Sequence, residues 1–143
     1  MNRRMEELVV DSSVCNDRCE IVLDLSSFSN LKAFVVGSHS FSYVKEVKLI
    51  GLNELERVVI GEDCFTRVKN SKPKYDPTRH FYLKDCGRLR ELKIGRWSFA
   101  DYSVIKIENV PSLEVIEMGK VKEWSYNFCF ASLQLESEID KTQ

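Results

Sequence analysis

Leu31, Phe34, Val36, Gly37 and Phe41 recur with unchanged spacing as Leu55, Val58, Ile60, Gly61 and Phe65, and again as Leu89, Leu92, Ile94, Gly95 and Phe99. A fourth copy opens with Leu113, Ile116, Met118 and Gly119. The leading leucines fall 24, 34 and 24 residues apart, a 24-residue period interrupted once by ten extra residues. One such unit cannot bury its own apolar face, so the copies must stack on one another to build a core.

A second phrase precedes each leading leucine: Leu23, Leu25, Phe28; Val47, Leu49, Leu52; Phe81, Leu83, Cys86; and Ile105, Ile107, Val110. Apolar residues two apart mark a short strand with one buried face, because side chains alternate across a pleat. Each period therefore holds two short strands, A (the leading leucine, then two apolar sites and glycine) and B (the second phrase). The three-and-four spacing of a helix is not sustained anywhere between them. Leu8 and Val10 fit strand A of an earlier unit, and Leu133 and Leu135 fit strand B of a last one.

Gly37, Gly61, Gly95 and Gly119 follow strand A directly, where the chain needs either a special backbone angle or an approach too close for a side chain. Phe41, Phe65 and Phe99 come four residues later and are expected to stack as an aromatic ladder, each contributing about 1.5–3 kcal/mol by burial.

The phrase LxxLxLxxNxL of leucine-rich repeats is matched by Leu55, Val58, Ile60 and Phe65 and by the sets beginning at Leu31 and Leu89. The chain resembles a leucine-rich-repeat protein, and its wording is similar to the divergent repeats of bacterial and protist surface proteins. The resemblance implies a mainly β, right-handed solenoid of four to five coils. Each coil would have two short strands forming parallel sheets, with little helix and one sheet lining a concave side that binds proteins or other macromolecules. The coils are placed near 8–30, 31–54, 55–88, 89–112 and 113–136, as one domain over 1–143 or a segment of a longer array, with an insertion near 66–80. Where the family has asparagine, this chain has His39, Asp63 and Trp97, so the corners must be hydrogen-bonded in another way.

A length of 143 residues and 43% hydrophobic residues suit a single domain with a continuous core. Twenty-one basic and 22 acidic residues leave a net charge of −1, which provides no global pull toward nucleic acid or anionic membrane. No apolar run approaches a membrane span, and the opening residues lack the apolar core of a secretory signal. The default compartment is the cytoplasm, with a surface or secreted location if the chain is a fragment.

Chemistry finds little purchase. Cys64 and Cys86 occupy repeat positions held elsewhere by Ser40, Ser98, Leu52 and Val110, and read as small core residues. Cys15 and Cys19 lie far in sequence from both histidines, so no zinc set is expected, and the odd count of five cysteines argues against a disulfide framework. No nucleophile elbow, phosphate loop or HExxH motif is present, and His39 and His80 read as corner and flank residues. The expected protein is not an enzyme and requires no cofactor or metal.

Binding is left to the outward residues. Alternation assigns Ala33, Val35, Arg57, Val59, Glu91, Lys93, Val115 and Glu117 to the exposed side of the A strands. On the B strands it assigns Glu46, Lys48, Ile50, His80, Tyr82, Lys84, Val104, Lys106 and Glu108. Val35 and Val59 make a small apolar patch. The inserted stretch is basic, with Arg67, Lys69, Lys72, Lys74 and Arg79 against Asp76, and carries Tyr75 and Tyr82 among the cations. The sequence thus favours a protein-binding scaffold that uses Val35, Arg57, Val59, Glu91, Lys93 and Glu117. The alternative is an anion or nucleic-acid binder that uses Lys72, Lys74, Tyr75, Arg79, Tyr82 and Lys84, and a third reading is a structural segment of a larger surface protein.

Overall fold

The computed structural model describes residues 4–14, 16, 21–66, 76–118 and 132–136. Ten strands follow one another: β1 (Glu7–Val10), β2 (Val22–Asp24), β3 (Ala33–Val36), β4 (Glu46–Ile50), β5 (Arg57–Ile60), β6 (Asp76–Lys84), β7 (Glu91–Ile94), β8 (Tyr102–Glu108), β9 (Val115–Met118) and β10 (Ser132–Glu136). Among the described residues there is no helix, and hence none long and apolar enough to cross a membrane.

Odd strands form one five-stranded sheet in the order β1-β3-β5-β7-β9, and even strands form a second in the order β10-β8-β6-β4-β2. Every pairing is parallel. The register follows the sequence period: Phe34 lies opposite Val58, Val58 opposite Leu92 and Leu92 opposite Ile116. Leu8 pairs with Phe34 and Leu133 with Ile105, so both outlying phrases take the strands expected of them.

Equivalent apolar positions line up as buried columns between the sheets. Leu31, Leu55 and Leu89 form one, Phe34, Val58 and Leu92 a second, and Val47, Phe81 and Ile105 a third. The link from each B strand to the next leading leucine is a tight turn closed by one backbone bond. Leu31 N–H reaches the Phe28 carbonyl at 3.0 Å, and Leu55, Leu89 and Leu113 repeat it on Leu52, Cys86 and Val110.

The corner after the A strands explains the glycines and phenylalanines together. A Cβ on Gly95 would lie 2.5 Å from the Gly61 carbonyl carbon, and one on Gly61 2.7 Å from the Ser38 nitrogen. Close approach of neighbouring units, not a positive φ, is what requires glycine here. The positive φ falls instead on His39 (62°), Asp63 (55°) and Trp97 (69°), and on Phe41 (59°), Phe65 (55°) and Phe99 (59°). A left-handed bulky residue costs about 1–3 kcal/mol and persists only where surrounding packing fixes it. The stack supplies that packing: Phe41 and Phe65 have centroids 4.9 Å apart, and Phe65 and Phe99 4.7 Å apart with planes within 5°.

Small side chains hydrogen-bond the backbone of this corner. Ser98 Oγ accepts from Cys64 N–H at 2.9 Å and donates to the Gly61 carbonyl at 2.6 Å. Ser40 Oγ accepts from Val14 N–H at 3.4 Å and donates to the Asp11 carbonyl at 3.0 Å. Cys64 Sγ donates to the Gly37 carbonyl at 3.2 Å. At the opposite corner, Gly51 (φ 70°), Asp85 (55°) and Asn109 (52°) share one left-handed position, filled by residue types that tolerate it.

Candidate interaction surface

On the first sheet the outward side chains stand in two columns. One runs Glu7, Ala33, Arg57, Glu91, Val115 and the other Val9, Val35, Val59, Lys93, Glu117. Val35 and Val59 are adjacent in register, as alternation requires, and Val9, 57% exposed, extends them to a three-valine run. Arg57 and Glu117 are exposed, while Glu91 and Lys93 are half-buried.

A third column sits at the strand entrances. Glu6, Lys32, Glu56, Arg90 and Glu114 occupy equivalent positions, each N–H bonding the carbonyl of the preceding member. Their charges alternate strictly. Lys32 Nζ lies 3.7 Å from Glu6, and Arg90 Nη2 lies 3.4 Å from Glu114. Arg88 Nη1 lies 2.8 Å from Glu54 just outside the column. These exposed pairs are worth about 0.2–1 kcal/mol each, enough to favour this register without dominating stability.

Two open clefts follow this edge. One, of about 450 Å³, is lined by Glu7, Lys32, Glu56, Arg57, Arg90 and Glu91 among others. The second, of about 480 Å³, shares Glu56, Arg90 and Glu114 with it and adds Arg88, Pro111 and Leu113. Both signs of charge line them in nearly equal number.

The second sheet presents a more self-satisfied face. Lys48 Nζ lies 3.0 Å from Glu46, whose hydrogen bond raises the lysine pKa, and Lys84 lies 3.5 Å from Glu108. Tyr82 is half-buried, with Lys84 Nζ 5.4 Å from its ring centroid and its hydroxyl 3.3 Å from His80 Nδ1. His80 Nε2 meets the Pro77 carbonyl at 3.0 Å, and His39 Nδ1 lies 3.7 Å from Asp63. Among the described residues no group of three His, Cys, Asp or Glu side chains could hold a metal. Cys64 and Cys86 are free and buried. Burial pushes both thiols up, Cys86 to about 11, so neither is poised as a thiolate.

The sequence groups Arg79 with the solvent-facing cations of the insertion, yet its side chain is buried, 1% exposed. β6 begins at Asp76, within the stretch read as inserted, and Arg79 shares the inward parity of Phe81 and Leu83. Its guanidinium donates to the carbonyls of Val44 at 3.4 Å and Ser42 at 3.2 Å, lies 3.6 Å from Asp101 and faces the Tyr102 ring at 5.8 Å. Lys72, Lys74 and Tyr75, like Cys15, Cys19 and Gly119, lie outside the described residues.

The alternating column was missed in the sequence. Its signal is nonetheless local, since the residue after each leading leucine reads Lys32, Glu56, Arg90, Glu114. Attention to strand alternation alone passes over it, because these residues precede the strands. No family model, curated protein or solved structure matches the chain.

Proposed function

We propose that the chain is a non-catalytic protein-binding scaffold of leucine-rich-repeat type, a right-handed solenoid that offers the outer face of its first sheet to a protein partner. The observation that carries this reading is the run Val9, Val35 and Val59 on that face, bordered by the charged clefts at the strand entrances. Contiguous outward apolar surface beside ordered charge is the composition of an interface: an apolar centre provides affinity and the charged rim provides register. The second sheet, where Lys48 and Lys84 are already engaged by Glu46 and Glu108, makes the weaker surface. The anion-binding alternative loses a cation with the burial of Arg79.

A photo-crosslinking residue at position 59, compared with one at position 106 on the second sheet, tests the reading. A partner captured at 59 and not at 106, with binding abolished by Val35→Asp and Val59→Asp in a folded protein and little changed by moderate salt, supports it. Capture at both positions alike, or indifference to the two substitutions, sinks it.

A further inference from the structure

The first sheet ends at β9, which has β7 on one side and no strand on the other among the described residues. Among the described residues the core columns have no further member beyond this edge. Ile116 is 47% exposed, although Phe34, Val58 and Leu92 in its column are fully buried. Leu113 is half-buried where Leu31, Leu55 and Leu89 are fully buried, and it lines the cleft of about 480 Å³. The backbone series is unfinished as well. Glu6, Lys32, Glu56 and Arg90 each accept N–H groups from the next strand, and the Glu114 carbonyl is the next acceptor, with no donor among the described residues. An open edge of this kind is a template for one more strand.

Charge decides which strand fits. The edge presents Glu114 and Glu117, and β7 already answers both from the inner side, with Arg90 ion-paired to Glu114 and Lys93 opposite Glu117. A second copy of this chain, adding its β1 in the same register, would set Glu6 against Glu114 and Val9 against Glu117. The apolar columns would continue, with Leu8 meeting Ile116, but like charges would face each other at the entrance. That contact disfavours self-stacking in this register.

We propose that the outer edge of β9 receives an extended segment of another protein that adds in parallel. This segment carries a lysine or arginine opposite Glu114, an apolar residue opposite Ile116 and a second cation opposite Glu117. This goes beyond the proposed use of the outer face, and it concerns an edge that Val35 and Val59 do not form.

The probe is a labelled peptide with the sequence of Arg88 to Gly95, RLRELKIG, which carries that pattern on Arg90, Leu92 and Lys93. Fluorescence anisotropy is expected to show saturable binding that weakens about tenfold when the peptide carries Arg90→Glu and Lys93→Glu, since each like-charge contact is unfavourable. The protein variant Glu114→Lys/Glu117→Lys, checked for an unchanged circular dichroism spectrum, should lose the original peptide and regain the charge-reversed one. Val35→Asp should leave the peptide bound, which separates this site from the outer face. No binding of the original peptide, or equal binding of both peptides to both proteins, overturns the proposal. So does sedimentation showing that the unmodified chain self-associates, because the charge argument would then fail.

Discussion

Arg79 and Asp101 are buried together, Nε 3.6 Å from Oδ2, beneath the corner where β6 enters the second sheet. The guanidinium also holds the Ser42 and Val44 carbonyls, and the Tyr102 hydroxyl donates to the same Val44 carbonyl at 2.5 Å. Removing one partner of such a pair leaves the other charge desolvated. Arg79→Ala is therefore expected to lower stability by about 3–5 kcal/mol. In urea unfolding the double variant Arg79→Ala/Asp101→Ala should fall well short of the sum of the singles. Additive losses, or a single-variant loss under about 1 kcal/mol, would show that the pair is not coupled in the interior.

This pair is the part of the fold least legible in the sequence. The columns of Leu31, Phe34 and Val47 were legible because burial imposes a period of two within each strand and 24 between strands, and three or four copies make the pattern redundant. The Phe41–Phe65–Phe99 stack was legible for the same reason. Arg79 has no such redundancy. It occurs once, beside the one irregular register of the second sheet among the described residues, between Asp76 and His80. Its charge suggested solvent, and its parity, which decides the matter, becomes visible only when the strand is known to start at Asp76. The outward residues Val35, Arg57, Val59, Glu91, Lys93 and Glu117 followed from alternation. The column from Glu6 to Glu114 did not, because its order lies in comparison between units and not within any one of them.

Inward and outward positions of the first sheet should differ sharply in their tolerance. Leu92→Ala opens space among fully buried neighbours, and a loss of about 2–5 kcal/mol is expected, as for Leu55→Ala. Val59→Ala on the outer face should cost less than about 1 kcal/mol. Guanidinium unfolding of the three variants compares them directly, and equal losses would mean that the strand is turned over by one residue.

The corner hydrogen bonds separate two roles of a small side chain. Ser98→Ala keeps the volume close to native but leaves the Cys64 N–H and the Gly61 carbonyl without their buried partner, at an expected cost of about 1–3 kcal/mol. Ser98→Cys, which copies the residue at the equivalent position 64, should lose less. Thermal melts of the pair check the ordering, and a harmless Ser98→Ala would show that the position serves packing alone.

The buried thiol of Cys86 gives the fold an alkaline limit whose sign follows from its environment. Its sulfur donates to the Lys84 carbonyl at 3.3 Å and sits among apolar neighbours, and desolvation pushes its pKa from 9.0 to about 11. Below the lower value both folded and unfolded chains keep the proton, so the full stability is present. As pH rises from 9.0 toward 11, the unfolded chain releases the proton while the folded one retains it, and the balance shifts toward unfolding. The expected loss from this one group is about 1–3 kcal/mol across that window. Other groups titrate there too, so the measurement is a difference: urea unfolding of the native chain and of Cys86→Ala at pH 8 and at pH 10.5. Cys86→Ala is expected to be the less stable protein at pH 8, through lost packing, and to close part of that gap at pH 10.5. A gap that stays constant would show that the thiol ionises in the folded protein as readily as in the unfolded one.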